Sequence, residues 1–381
     1  MKPETVALGE ACIVVMGQSP PGTSYNTSGD GLPFFQGKTD FGEMYPKVRV
    51  FCNQPSRIAE EGDILMSVRA PVGPTNLAKE KCCIGRGLAA LRTGTRLDTS
   101  FLLYFLRHHE PRLASQGQGS TFDAINRDDL EEIEIPLPGL PEQRRIAGRL
   151  EQSDRLCRTR RYALELTDTF LPAAFLELFG DPDKNPLGWS ESELGELCVE
   201  VLDCPHSTPI YTAIQTPHPC VRSSDIQKGY LDFSEAKYVR PCEYQKRIAR
   251  GKPMPGDVIY CREGARFGNA GRIIDKTEMC LGQRTMLFRA NSKVAVGEFI
   301  WAFLSSRGAY RQATRALDGS ASPHVNVGEI VSFRVPLPPL SLQRRFAFMC
   351  KRVDHLRAVQ REALRQAEHL FASLLHRSFS R

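Results

Sequence analysis

The chain has 381 residues, 41% of them hydrophobic and 25% charged, which is an ordinary globular balance; at about 150 residues per domain this length predicts two or three domains. No apolar run approaches the roughly 20 residues of a membrane span, and Met1 to Glu10 lack the apolar core of a secretory signal, so the expected location is the cytoplasm. A net charge of +6 is compatible with a polyanionic partner without demanding one, and the 12 cysteines, scattered except for Cys82-Cys83 and with no C-x-x-C pair, read as reduced, buried thiols.

In chain order, Gly17 to Pro33 is rich in Gly, Pro, Ser and Thr, the composition of exposed loops. Asp63-Ile64-Leu65-Met66-Ser67-Val68 is a short strand candidate, and the apolar run at 101 to 109 is a helix. Ile135-Pro136-Leu137-Pro138 then favours extended backbone and excludes helix. Pro141 to Phe179 is helical, with heptad-like apolar positions Ile146, Leu150, Leu164, Leu171 and Leu178; Pro172 is expected to kink or end it, and Gly180 with Pro182 to close it. The order then starts again. Asp203 to Pro219 is loop-like, Asp257-Val258-Ile259-Tyr260-Cys261 a strand, 299 to 306 an apolar helix and Val335-Pro336-Leu337-Pro338 a stop. Ser341 to Phe379 is a second long helix with Phe346, Cys350, Val353, Leu364, Phe371 and Leu374 on its seam.

These two passes are a repeat, and a repeat dictates architecture before any motif does. Gly119-Ser120, Ile125-Asn126, Pro136-Leu137-Pro138 and Gln143-Arg144-Arg145 return 200 residues later as Gly319-Ser320, Val325-Asn326, Pro336-Leu337-Pro338 and Gln343-Arg344-Arg345. The 101–106 helix returns at an offset of 198 and Gly62-Asp63-Ile64 at 194, so loops of different length sit on one shared fold. The expected class is α+β: two mixed α/β domains in tandem, separated by two long antiparallel helices that form a coiled-coil spacer with pseudo-twofold symmetry. The expected boundaries are 1–138 and 181–338 for the domains and 139–180 and 339–381 for the helices. The seam has a polar centre, Cys157 and Arg160 in one helix matching Arg357 and Gln360 in the other, which can fix register. Such helices also serve as plain packing devices. At about 1.5 Å per residue, though, each arm reaches about 57 Å, longer than the roughly 34 Å of one DNA turn.

The tandem layout resembles the specificity subunits of type I restriction-modification systems. The residues that carry the likeness are Gly17-Gln18-Ser19-Pro20-Pro21, Tyr25-Asn26, Gly31-Leu32-Pro33-Phe34, the Gly62-Asp63-Ile64-Leu65 strand, and the junction from Ile135-Pro136-Leu137-Pro138 to Glu142-Gln143-Arg144-Arg145-Ile146. Asp203-Cys204-Pro205-His206-Ser207-Thr208-Pro209 is similar to the opening loop of another recognition-domain subtype. The second junction departs from the pattern, with Ser341-Leu342 in place of Pro141-Glu142. The resemblance implies a non-catalytic subunit of a prokaryotic enzyme complex. Each domain would be a target-recognition domain reading one half of a split, asymmetric sequence in double-stranded DNA, with the helices as the ruler between them. It also implies two methyltransferase (modification) subunits and endonuclease/translocase (restriction) subunits as partners, with no membrane and no cofactor.

The residues themselves point away from catalysis. The sequence contains no G-x-x-x-x-G-K-[ST] phosphate loop, H-E-x-x-H or G-x-S-x-G elbow, and Asn185-Pro186-Leu187-Gly188 lacks the aromatic residue of an amino-methyltransferase motif. Pro182-Asp183-Lys184 lacks a nuclease-like acidic partner and reads as linker. Cys204, His206, His218 and Cys220 form a C-x-H…H-x-C pattern, but zinc ligands more often come in pairs two to four residues apart, so unliganded loop residues are the preferred reading. Two other functions remain open at this point: a coiled-coil adaptor whose globular halves bind proteins, and an enzyme built on that Cys/His cluster.

Phosphates are met mainly by Lys and Arg, and base edges by Arg, Lys, Asn, Gln, Ser and Thr carried into a groove on loops. The DNA-binding candidates in the first domain are Tyr25, Asn26, Gln36, Lys38, Arg69, Arg86, Gln118, Ser120 and Thr121. In the second they are His206, Ser207, Thr208, Arg222, Ser224, Lys228, Arg262, Arg266, Arg284, Ser320 and His324. For each one, a solvated surface side chain is the plain alternative.

Overall fold

The computed structural model describes residues 4–117, 124–315 and 324–380. It divides into two compact units, one formed by Met1–Ala163 with Gln360–Arg381 and the other by Leu164–Val359.

In the first unit, alternating apolar residues build an antiparallel sheet in the order Cys12–Met16, Leu88–Thr93, Ile64–Ser67, Thr75–Leu77. One face packs on the helix Thr99–Gly117, whose Phe101 to Leu106 are buried. A second sheet runs Tyr25–Asn26, Phe51–Cys52, Leu32–Phe35, Cys82–Ile84, Ile58–Ala59, with one parallel pair, Phe34 opposite Cys83. Glu4–Ala7 pairs antiparallel with Glu134–Leu137, so the strand holding Pro136 has one partner and its missing N–H breaks no central ladder.

The second unit repeats this plan. Its first sheet runs Cys198–Asp203, Thr285–Ala290, Val258–Cys261, Ala270–Arg272, and its second Tyr211–Thr212, Lys237–Val239, Pro219–Val221, Cys280–Leu281, again with a parallel pair. Among the described residues of the second unit the fifth strand has no counterpart; after Val239 the chain forms the helix Pro241–Arg247 instead. Pro241 at the first helical position, where no N–H bond is needed, favours that start. The apolar helix is also divided, into Gly297–Leu304 and Arg307–Arg315.

Two buried polar devices explain why short motifs recur at fixed offsets. Gln143 is fully buried: its Oε1 accepts from Asp98 N (2.7 Å), and its Nε2 donates to Arg96 O (2.9 Å) and Pro138 O (2.8 Å). Gln343 does the same with Val296 N (3.1 Å), Val294 O (3.3 Å) and Pro338 O (2.9 Å). Each glutamine thereby clips the start of a long helix to its globular unit. The Gly-Asp pairs act similarly. Asp63 accepts from Glu60 N and pairs with Arg92 across the sheet, and Asp257 accepts from Met254 N and pairs with Arg289. Gly62 and Gly256 precede them at φ 86° and 94°, a conformation that favours glycine.

The long helices are Leu140–Phe179 and Leu340–Phe379. The first therefore runs through Pro172 and is not ended by it. In the turn that Pro172 leaves one hydrogen bond short, Arg357 donates to Thr167 O (3.0 Å) and to the Asp168 carboxylate (2.6 Å). Within the first unit the helix segments run antiparallel: Arg160 donates to Gln360 and Arg161 to Glu368, while Leu156 shares a cavity wall with Leu370 and Leu374. The polar seam centre thus resolves into hydrogen bonds. Aromatic residues close both ends: Phe379 packs edge-on against Phe101 and Phe105 in the first unit, Phe179 against Phe299 and Phe346 in the second.

Candidate nucleic-acid interface

In each unit, loops from one end of the two sheets are knitted together by backbone hydrogen bonds. In the first, Gly17 N donates to Leu88 O, Gln18 N to Ile84 O, Gly85 N to Phe35 O, Val68 N to Gly87 O and Ile125 N to Val68 O, and Arg69 bridges to Ala124. A Cβ on Gly17 would lie 2.1 Å from Gly85 O, so only glycine permits this approach. The second unit has the matching bonds: Cys204 N to Thr285 O, Gly282 N to Val221 O, Arg262 N to Arg284 O and Val325 N to Arg262 O, with a Glu263–His324 bridge.

This end of the first unit collects Gln36, Arg69 and Arg86, with Lys38 two residues from Gln36. All four side chains are exposed, and none forms an ion pair with a described carboxylate. The Gln36 and Gly37 amides donate to Asp40, which shapes the turn that carries Lys38. Two other candidates have structural partners instead. Tyr25 stacks on Phe34 at 4.7 Å and donates to Pro20 O, and Asn26 bonds both the amide and the carbonyl of Asp30. Gln118, Ser120 and Thr121 lie outside the described residues, as does Ser320.

The second unit brings His206, Arg262, Arg284 and His324 around two carboxylates. Asp203 pairs with His206 (3.2 Å) and Arg262 (3.2 Å); Glu263 pairs with Arg284 (3.3 Å) and His324 (3.4 Å). Arg262, nominated as an exposed loop residue, is buried at 6% exposure, because its guanidinium is needed beside Asp203 where the strand ends. Arg284 adopts a left-handed backbone (φ 68°) that turns its side chain over Glu263. Arg222 is held by Asp225 through two nitrogens and by Glu235 O, and the Asp225 hydrogen bonds push its pKa further up. Ser224 donates to the same carboxylate. Ser207, Thr208, Lys228 and Arg266 are exposed, and neither Lys228 nor Arg266 is paired with a described carboxylate.

The Cys/His pattern is dispersed. Cys204 is packed with Val221, Ile259 and Leu287, Cys220 lies opposite Cys280, His218 stacks on Tyr244 at 4.1 Å, and His206 faces Asp203. Burial raises the Cys204 thiol, while the hydrogen bond from Cys280 lowers Cys220. Among the described residues no group of three or more His, Cys, Asp or Glu could hold a metal ion. The same end holds residues that sequence reasoning did not nominate. Gln18, inside the quoted Gly17-Gln18-Ser19 motif, was findable; Gln283, Glu243 and Arg247 carry no pattern that marks them.

Residues 2–166 match the family model described as the type I restriction modification DNA specificity domain. The MjaX specificity subunit of Methanocaldococcus jannaschii is 47% identical over 149 residues, which are 39% of this chain and 35% of that relative. The MjaVIII specificity subunit of the same organism is 24% identical over 287 residues, 71% of this chain and 67% of the relative. The crystal structure of a type I restriction-modification S subunit from M. genitalium shares the fold, with a TM-score of 0.64 at 16% identity over 98% of both chains. The chain is thus similar to type I restriction-modification specificity subunits, most strongly over its first 166 residues, where it matches that DNA specificity domain, and it spans about a third of the length of the MjaX relative.

Proposed function

We propose that the chain reads a bipartite, asymmetric sequence in double-stranded DNA, one half per unit, and directs methyltransferase and endonuclease/translocase subunits to it while performing no chemistry itself. The observation that carries this is the repeated loop cluster: one scaffold, knitted by matching backbone bonds, presents Gln36, Arg69 and Arg86 in one copy and His206, Arg284 and His324 in the other. Equal scaffolds with unequal rims are what an asymmetric two-part target requires. The long helices are the spacer that sets the unread gap, and domain boundaries near 138, 180 and 338 follow from that division.

Selection from a pool of random duplexes with the full chain tests this reading. It should enrich two unlike half-sites at a fixed separation, with affinity falling steeply as salt rises. Mapping of methylated adenines in the host genome should then return the same sequence. Absence of salt-dependent duplex binding would leave the adaptor reading in its place.

A further inference from the structure

The opening loop of the second unit, Pro205 to Ile210, has little means of organising itself. Pro205 and Pro209 lack N–H groups, so no regular ladder can form there, and inward-facing carbonyls need donors from elsewhere. Arg247, the last residue of the helix Pro241–Arg247, supplies them. Its side chain is 2% exposed; Nη2 donates to Pro205 O (3.4 Å), Nη1 to Ser207 O (3.2 Å) and Nε to Leu281 O (2.9 Å). Glu243, one turn earlier, lies 3.6 Å from Nη1 and accepts from Ile210 N (3.5 Å). Gln283 donates to the carbonyl between those of Pro205 and Ser207, His206 O, at 2.8 Å. The backbone is thus gripped on its inner side, while His206, Ser207 and Thr208 are exposed outward.

A guanidinium buried this deeply is a poor device for stability alone, since an apolar residue of similar volume often does as well. Its merit is geometric. A planar fork fixes several carbonyls at once, here two from the loop and one from the strand that leads to Arg284. Among the described residues of the first unit none grips its loop in this way: the loop is tied by Gln18 N to Ile84 O and by the Tyr25 hydroxyl to Pro20 O, and a strand stands where this helix is.

We infer that Arg247, seated on Glu243, is a positioning residue that sets His206, Ser207 and Thr208 against the bases of one half-site without touching DNA. This rests on the DNA-recognition reading above. It is tested by duplex selection with the full parent chain, Arg247→Lys and Glu243→Gln. Lysine keeps the charge and cannot fork; glutamine keeps an acceptor for Ile210 N–H and removes the ion pair. Arg247→Lys should lose about tenfold or more of its discrimination at one half-site only, with the other half-site and the salt slope unchanged. Glu243→Gln should show a smaller loss at the same half-site, and it decides the matter if the lysine variant does not fold. Undiminished discrimination in a folded variant, or equal loss at both half-sites, would overturn the inference. A parent chain that enriches no sequence overturns the DNA reading and this inference with it, so the parent's behaviour separates the two failures.

Discussion

The two units agree where they are buried and differ where they are open. Gln143 and Gln343 make the same three hydrogen bonds, Asp63 and Asp257 the same cross-sheet ion pair, and Phe379 and Phe179 the same aromatic closure. At the rim, Arg69 is matched by Glu263, Gly87 by Arg284, and a strand by the helix that carries Arg247. Buried polar groups tolerate no loss of partners, so a duplicated scaffold holds to them, whereas an exposed loop end is free to acquire new chemistry.

The chain provides a way to separate the units experimentally. Its 2 tryptophans, Trp189 and Trp301, both belong to the second unit, so indole fluorescence follows that unit while far-UV circular dichroism follows both. The largest effects are expected at the aromatic closures. Phe179→Ala should lower stability by about 3–5 kcal/mol and shift the fluorescence transition; Phe379→Ala should cost a similar amount in the dichroism transition and leave fluorescence in place. If both transitions move with either variant, the units do not unfold separately. The glutamine clips come next. Gln143→Ala strands two carbonyls and an amide and should cost about 2 kcal/mol in denaturant unfolding. Gln343→Ala should cost less, because two of its three bonds are longer, at 3.1 and 3.3 Å.

The same division explains what the sequence disclosed. A repeat at offset 200 is visible because the residues that pin the scaffold, Gln143 and Gln343 among them, cannot drift. Their role was hidden, since Gln-Arg-Arg reads as polar helix surface until the backbone groups it meets are in view. The Pro241–Arg247 helix and its strand counterpart Ile58–Ala59 were not legible, each being too short for a hydrophobic period to register. Arg262 and Arg266, four residues apart, looked alike as loop cations; only packing shows one buried on Asp203 and the other exposed.

That last pair yields a sharper, smaller test. Arg266→Ala should leave stability within about 0.5 kcal/mol and weaken duplex binding by about 1–3 kcal/mol, at one base pair if it reads a base and uniformly if it meets a phosphate. Arg262→Ala should act the other way round. It leaves Asp203 short of a partner, so the fluorescence transition should fall before any base preference changes.

The smallest effect distinguishes the two aromatic closures by pH. In the first unit His108 lies against Phe379, near His109 (ring centroids 5.0 Å) and His376 (6.2 Å), and bonds Ser380 Oγ at 3.0 Å. Burial, then the two neighbouring imidazoles, lowers its pKa from 6.5, so the folded unit favours the neutral ring. Below 6.5 the unfolded chain binds the proton more readily than the folded one. Stability is therefore complete above that value and declines as pH falls toward the lower, folded pKa. The ring is only partly buried, which keeps the slope shallow. The second unit carries Ser306, Arg307 and Leu176 where the first has His108, His109 and His376, so its closure contributes no such slope. His108→Gln should flatten the fall of the dichroism midpoint below about pH 6.5 and leave the fluorescence midpoint unchanged. A slope that survives the substitution would place the proton uptake elsewhere in the first unit and remove this difference between the two closures.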